Sequence, residues 1–272
     1  MKRTQLNWIL AASLIALGTT SYLTTQQNTP VSETIDSLGI SAASRVGVQV
    51  KTNSAHCDLK RHTTTITEGN LTATHQANLA ACQHIASIVN TSVTAVPHAS
   101  TRLEQYGIDD YATRVLLDDK TITLGSKHPI HAKRYALIRS KIYLLDTDVI
   151  KQYEADLTQL LSHRLLPKQP ELIKISTPDT VFSRQSHVWT SKPSKDTATE
   201  IAEKWSNIIA KEIMLTPPVE NQALPGITFQ TNNDELLNFQ IIRSSKQTIE
   251  LQKQKSPLTF LITNDNLIPP KL

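Results

Sequence analysis

Between Leu103 and Asp146 the chain is cut into short apolar runs by Asp, Lys, Gly, Ser and Pro. A turn-like opening, Leu103-Glu-Gln-Tyr-Gly-Ile-Asp-Asp110, leads into Arg114-Val-Leu-Leu-Asp-Asp-Lys-Thr-Ile-Thr-Leu-Gly125, then Arg134-Tyr-Ala-Leu-Ile-Arg139 and Lys141-Ile-Tyr-Leu-Leu-Asp146. Runs of this length bounded by turn residues are antiparallel strands joined by tight connections. The pattern of Ile142–Asp148 returns at Leu258–Asp265, so a repeat organises the chain.

The first copy opens with Arg45-Val-Gly-Val-Gln-Val-Lys51, whose valines alternate as in a half-buried strand. Extended runs at His56–Lys60 and His62–Thr67 follow, then a loop at Glu68–Asn70, then a helix from Asn78 to Val89. In the second copy Leu172–Ser176, Thr180–Arg184 and His187–Thr190 stand for the three strands. A helix from Thr197 to about Ile213 is opened by the capping box Thr197-x-x-Glu200. Its buried positions are expected to be Ile201, Trp205, Ile208, Ile209 and Ile213. Strand runs at Ile227–Gln230, Leu236–Ile242, Thr248–Leu251 and Leu258–Asp265 complete it. The order is three strands, a helix and four strands, twice over, and a period near a hundred residues indicates duplicated modules and not a solenoid. Between them, Ile150, Tyr153, Leu157, Leu160 and Leu161 form one apolar stripe of an expected connector helix, with Asp148 as its N-cap and Pro167 beyond its end.

The N-terminus points to the compartment. Lys2 and Arg3 precede an apolar run from Trp8 to Leu17 that continues weakly to Leu23. The basic flank holds the N-terminus inside while the run inserts. No Ala-x-Ala cleavage site and no lipoprotein cysteine follows. The run is read as an uncleaved single-span anchor, with a cleaved signal and a buried core helix as the other readings. The first two put the rest of the chain outside the cytoplasm.

Cys57 and Cys82 are an even pair. In an oxidising compartment the simplest reading is one disulfide, with Cys82 on the helix face shared by Ile85, Ile88 and Val89. Two buried thiols, or a metal site drawing in His56, His62 or His84, are the rivals; neither Cys57-x4-His62 nor Cys82-x-His84 is a standard zinc spacing.

These readings divide the chain into an anchor (1–23), a Thr/Gln/Ser-rich linker (24–44), a first module (45–147), the connector helix (148–167) and a second module (168–272). The fold class is α+β, each module being an antiparallel sheet with one packed helix. The chain has 272 residues, 7 glycines and 13 prolines, and the common Gly-rich phosphate loops, nucleophile elbows and zinc-protease motifs are absent from it. The net charge of +4 is spread in short islands and not in a basic stripe, which argues against nucleic acid. Asp118-Asp119-Lys120 reads as a hairpin turn, because adjacent strand positions point to opposite sides and do not pair two carboxylates. Trp189 and Trp205 read as core and not as a glycan platform. His128 and His131, beside Lys133 and Arg134, form the one cluster suited to an anion or metal, although a surface loop is the simpler reading. No catalytic residue, cofactor or metal is expected.

Several stretches resemble an uncharacterised bacterial family known only as a domain of unknown function, whose members carry an N-terminal membrane anchor. They are Tyr106-Gly-Ile-Asp109, Thr121–Gly125, Arg134–Leu137, Lys141–Leu145 and Leu161-Ser-His-Arg-Leu-Leu166, with Trp189 and Trp205 in the second copy. Two positions depart from its pattern: Asp110-Tyr111 stand where the family has a proline, and Thr65-Ile66 where it has a tryptophan. The Cys57–Cys82 pair would supply the rigidity of that missing packing. Some members are encoded beside ABC-transporter and gliding-motility components. The resemblance therefore implies a non-enzymatic, single-pass protein of the inner membrane, its folded part in the periplasm and a protein partner in the envelope. An envelope enzyme acting on cell-wall or glycan material, and a solute-binding protein using an inter-module groove, are the alternatives.

Overall fold

A computed structural model describes residues 32–41, 43–97, 99, 101–146, 149–167, 171–185, 188–192, 198–219, 224–264 and 267. The expected anchor (1–23), the N-cap Asp148, the capping residue Thr197 and Asp265 lie outside them. Among the described residues no helix is long and apolar enough to cross a membrane.

Two antiparallel sheets with few helices make up the fold. The first holds β1 (Ser32–Thr34), β2 (Arg45–Val50), β3 (Asn53–Asp58), β4 (Thr63–Glu68) and β5 (Leu71–Gln76). Helix α1 (Leu79–Ala86) leads on to β6 (Ser92–Ala95), β7 (Thr113–Leu117), β8 (Lys120–Lys127), β9 (Arg134–Ile138) and β10 (Lys141–Leu145). The short helix α2 (Lys151–Ala155) precedes the second sheet. That sheet holds β11 (Leu172–Ser176), β12 (Val181–Gln185) and β13 (Val188–Lys192), then helix α3 (Ala198–Ser206) and β14 (Glu212–Leu215). It ends with β15 (Gly226–Thr231), β16 (Leu236–Ser244), β17 (Thr248–Lys253) and β18 (Leu258–Thr263).

The strand orders coincide. From one edge the second sheet runs β13-β12-β11-β15-β16-β17-β18-β14. The first runs β5-β4-β3-β2-β7-β8-β9-β10-β6-β1, the same path with one strand added at each edge. In both, a helix carries the chain from one edge to a strand at the opposite side. Eight strands laid flat would span roughly 34 Å, whereas α1 is about 12 Å long. The helix spans only part of that crossing, and the segments flanking it carry the chain the rest of the way. Ala81, Cys82 and Ile85 of α1 are buried, as are Ile88 and Val89 in the following 3-10 turn. In α3 the buried residues are Ala198, Ala202 and Trp205.

Four expectations change. The linker is partly folded: β1 pairs with β6 in the first sheet, and Ile35 and Ile40 just after it are buried in the core. β5 is a strand that sequence reading missed. Helix α3 stops at Ser206, Ile209 is 62% exposed, and Ile213 is buried as part of β14. The connector is not one helix. At Asp156 the backbone is extended (φ −154°), and the carboxylate caps a new 3-10 turn, Leu157–Leu160, by accepting from Thr158 N at 2.9 Å.

Beyond that turn the connector is extended backbone wedged between the sheets. Asn78 N donates to Leu160 O (2.9 Å) and Ser162 N to Gln76 O (2.7 Å) on one side. On the other, Ala210 N donates to His163 O (2.7 Å) and Leu165 N to Ile208 O (3.3 Å). Its polar backbone is thereby satisfied where a buried loop would otherwise be costly. His75 of β5 seals the junction: its Nε2 lies 3.0 Å from Arg164 O, and its ring meets Phe260 of β18 edge-on at 5.2 Å.

Candidate functional site

Consecutive hairpins place their turns alternately at two ends of the first sheet. At one end are 51–52, 69–70 and 128–133, with the loop that enters β7; at the other are 59–62, 118–119 and 139–140. The two ends differ in chemistry.

The first end carries a ledge of rings. A 3-10 turn, Leu103–Tyr106, is closed by Gly107 at φ 67°, a left-handed conformation that glycine adopts without strain. Gly107 lies against Ser126, and Gly125 lies against the Tyr106 carbonyl, so closely that a Cβ on either glycine would collide. Ser126 Oγ donates to Tyr106 O at 3.1 Å. The loop is thus clamped on β8, and the Tyr106 ring meets Tyr135 of β9 edge-on at 4.9 Å. His128 also lies against Tyr135 (5.4 Å), and His131 stacks on His128 (4.7 Å, 29° between planes).

The His128 ring is fixed from within its own turn. Its Nδ1 accepts from Ile130 N (3.2 Å) and His131 N (3.1 Å), which puts the ring proton on Nε2. Two side chains project from this end: Ile130 is 83% exposed and Tyr111 73%. Tyr111 is held out by a turn in which its N–H donates to Asp109 Oδ1 (2.8 Å). Large apolar side chains so exposed beside stacked rings suit a contact with another molecule.

Of the three residues expected as a cluster, the structure brings together His128 and His131 and withdraws Arg134. The Arg134 guanidinium bonds Glu154 Oε1 at 2.7 Å and the Gly125 carbonyl, so it braces the ledge from behind. Sequence reading singled out neither Tyr106, Tyr111 and Tyr135 nor Ile130 for this role. The available signal was the spacing of tyrosine and histidine around Gly107 and Gly125.

The other end is cationic. Arg45, Lys60, Arg61, Lys120, Arg139 and Lys141 cluster there around Asp58, Asp118 and Asp119. A depression of about 560 Å³ lies among Ser44, Arg45, Asp58, Lys60, Arg61, Asp118 and Asp119. Its carboxylates hold the chain and are not poised for catalysis. Asp118 sits in the hairpin turn expected from sequence and accepts from Arg45 N (2.9 Å) and Ser44 N (3.2 Å). These bonds hold its carboxyl below the usual range, the one from Arg45 most. Asp58 accepts from Arg61 N (2.9 Å) and Lys60 N (3.0 Å) and is lowered for the same reason. By contrast, the segments at the ledge end carry both signs: Lys51, Arg102, Lys127, Lys133 and Arg134 with Glu68, Glu104, Asp109, Asp110 and Asp146, and Glu154 paired with Arg134.

Cys57 and Cys82 lie at disulfide-bonding distance, 2.12 Å between sulfurs, and join β3 to α1 inside the core. Thr64 Oγ1 bonds Cys57 Sγ (3.4 Å) and the connector carbonyl of Leu160 (2.9 Å) beside them. His56, His62 and His84 do not join them: His84 Nδ1 is 3.1 Å from Tyr153 Oη. Among the described residues no group of three or more His, Cys, Asp or Glu side chains could hold a metal ion. Trp189 and Trp205 are buried, Trp205 edge-on to Phe229 at 5.7 Å. Comparison with known proteins returns no match: no family model, curated protein or solved structure is significantly similar to the chain.

Proposed function

We propose that this is a single-pass protein of the bacterial inner membrane whose folded part, in the periplasm, is a non-enzymatic accessory or binding component of an envelope assembly. The observation that carries this reading is the ledge. Its rings are braced by Arg134 and by two glycine contacts, and it presents Ile130 and Tyr111 to the outside. Such an arrangement fits recognition of a partner protein by aromatic anchors. The Cys57–Cys82 pair fits an oxidising compartment, and the apolar run behind Lys2 and Arg3 fits an anchor. The shared strand order supports two copies of one sheet-plus-helix module. A place beside a transporter-like complex rests on the family resemblance alone, an analogy and not a geometric argument.

The test is affinity capture of the full-length, membrane-embedded protein. A stoichiometric partner is expected with the unaltered chain, and its recovery should fall about tenfold or more in Tyr111→Ala/Ile130→Ser. Hydrolysis of isolated envelope material with no partner captured would overturn the proposal in favour of an enzyme.

A further inference from the structure

Two histidines at the junction of the sheets, His75 and His163, each point a ring nitrogen at a carbonyl oxygen: Arg164 O at 3.0 Å and Ala210 O at 2.9 Å. A carbonyl accepts a ring N–H. His128 is turned the other way. Its Nδ1 faces two donors, Ile130 N at 3.2 Å and His131 N at 3.1 Å, so both bonds exist only while that nitrogen carries no proton. Pro129 has no N–H of its own, which leaves these two amides of the turn for the ring to cap.

The turn capped in this way is the one that holds Ile130 outward. Facing the His128 ring are His131, stacked at 4.7 Å, and Tyr135 of β9 at 5.4 Å, with Tyr106 of the loop entering β7 against Tyr135. Lys127 and Lys133 flank the turn, and Arg134 is held by Glu154. The entering loop contributes Arg102, Glu104, Asp109 and Asp110, of which Asp109 is turned to the Tyr111 amide. A proton on His128 Nδ1 would set an N–H against two N–H groups and break both bonds. A charge on His131 would add repulsion across the stack.

We infer, resting on the binding reading above, that the His128–Lys133 turn is a proton-operated switch on the ledge. With the His128 ring neutral, the turn holds Ile130 in place for a partner protein; a proton on the ring opens the turn and releases the partner. Imidazoles as a class change charge between about pH 5 and 8. The sign follows from the bonds. The closed turn binds one proton fewer than the open one, so closure is complete on the alkaline side and is lost as pH falls. Below the titration each further pH unit favours the open turn by about tenfold.

Amide hydrogen exchange of the full-length chain is compared at about pH 7.5 and about pH 5.5, either side of the imidazole range, with rates corrected for the intrinsic effect of pH. The segment Lys127–Arg134 reports the turn, and β2 serves as the control. In the unaltered chain protection of the turn should fall by about tenfold on acidification while β2 stays unchanged. His131→Asn keeps the His128 ring and should show the same fall. His128→Asn should show none, because an Asn side chain caps the same amides at every pH. Unchanged protection in the unaltered chain, or an equal fall in His128→Asn, overturns the inference. Affinity capture of the membrane-embedded protein is then repeated at the two pH values. Recovery of the partner should be about tenfold lower on the acid side, and in His128→Asn the ratio between the two should be near one, whatever its level. Equal recovery at both values from the unaltered chain overturns the release. Capture of no partner at the higher pH counts against the binding reading, and the exchange result then decides the switch by itself.

Discussion

At Gly125 the backbone of β8 runs so close to the Tyr106 carbonyl that any side chain would meet it. The neighbour is backbone, so no rotamer change relieves the collision. Gly125→Ala should push the Leu103–Ile108 loop off β8 and lower stability by about 1–3 kcal/mol. Gly69 offers a contrast. It has a positive φ of 56° with open space around it, so Gly69→Ala should cost only the strain of that conformation, about 1 kcal/mol. Urea unfolding of the two variants measures both, and near-ultraviolet dichroism should show loosened tyrosine packing only in Gly125→Ala. The chemistry of Gly125 was not legible in the sequence, where it reads as a turn residue. The contact that requires it joins positions nineteen apart, through a register no local pattern records.

Among the elements, those with an apolar inward face were legible. β2 alternates valines over a core, and the stripe of Cys82, Ile85, Ile88 and Val89 is buried as its spacing indicates. β5 was missed because its inward residues are Ala73, His75 and then Ala77. They are small or polar because the connector and the second sheet press against them, so the period of two is present without a hydrophobic signal. The connector misled in the opposite sense. Leu157, Leu160 and Leu161 have helical spacing, but Asp156 ends α2, and the next carbonyls and amides bond the end of β5 on one side and the segment between α3 and β14 on the other. Tertiary hydrogen bonds outweighed a weak local preference. The pairing of β3 with α1 is the element-scale feature most open to test. The Cys57–Cys82 cross-link spans 25 residues, and closing such a loop in the unfolded chain contributes about 3 kcal/mol. Cys57→Ser/Cys82→Ser should lower the unfolding free energy by that amount. Labelling of unfolded, unreduced protein with a thiol reagent should give no signal in the unaltered chain.

Across the whole molecule the repeated succession of strands and a helix was legible in outline, because each copy repeats the same series of short runs; the order of the strands within each sheet was not. How the two sheets meet was not legible either, since that depends on backbone bonds of the connector and on one histidine set among threonines. Burial pushes the His75 imidazole down from its ordinary 6.5 to about 4, and the nearby Lys253 charge acts in the same direction. The neutral ring must donate from Nε2 to reach the Arg164 carbonyl. Above pH 6.5 the ring is neutral in folded and unfolded chains alike, and its titration adds no pH dependence. Between pH 6.5 and about 4 the unfolded chain takes up a proton that the folded chain refuses, so stability falls as pH falls. The full loss across that window is about 3 kcal/mol. Replacing the ring by His75→Phe keeps the contact with Phe260 but leaves the Arg164 carbonyl without its donor. The variant should be less stable at neutral pH by about 1–2 kcal/mol. It should also lose the slope between pH 4 and 6.5, so that the two stability curves converge and then cross as the solution is acidified. Urea midpoints measured through that range decide the matter: parallel curves would mean that His75 is not the group that couples the junction to acid.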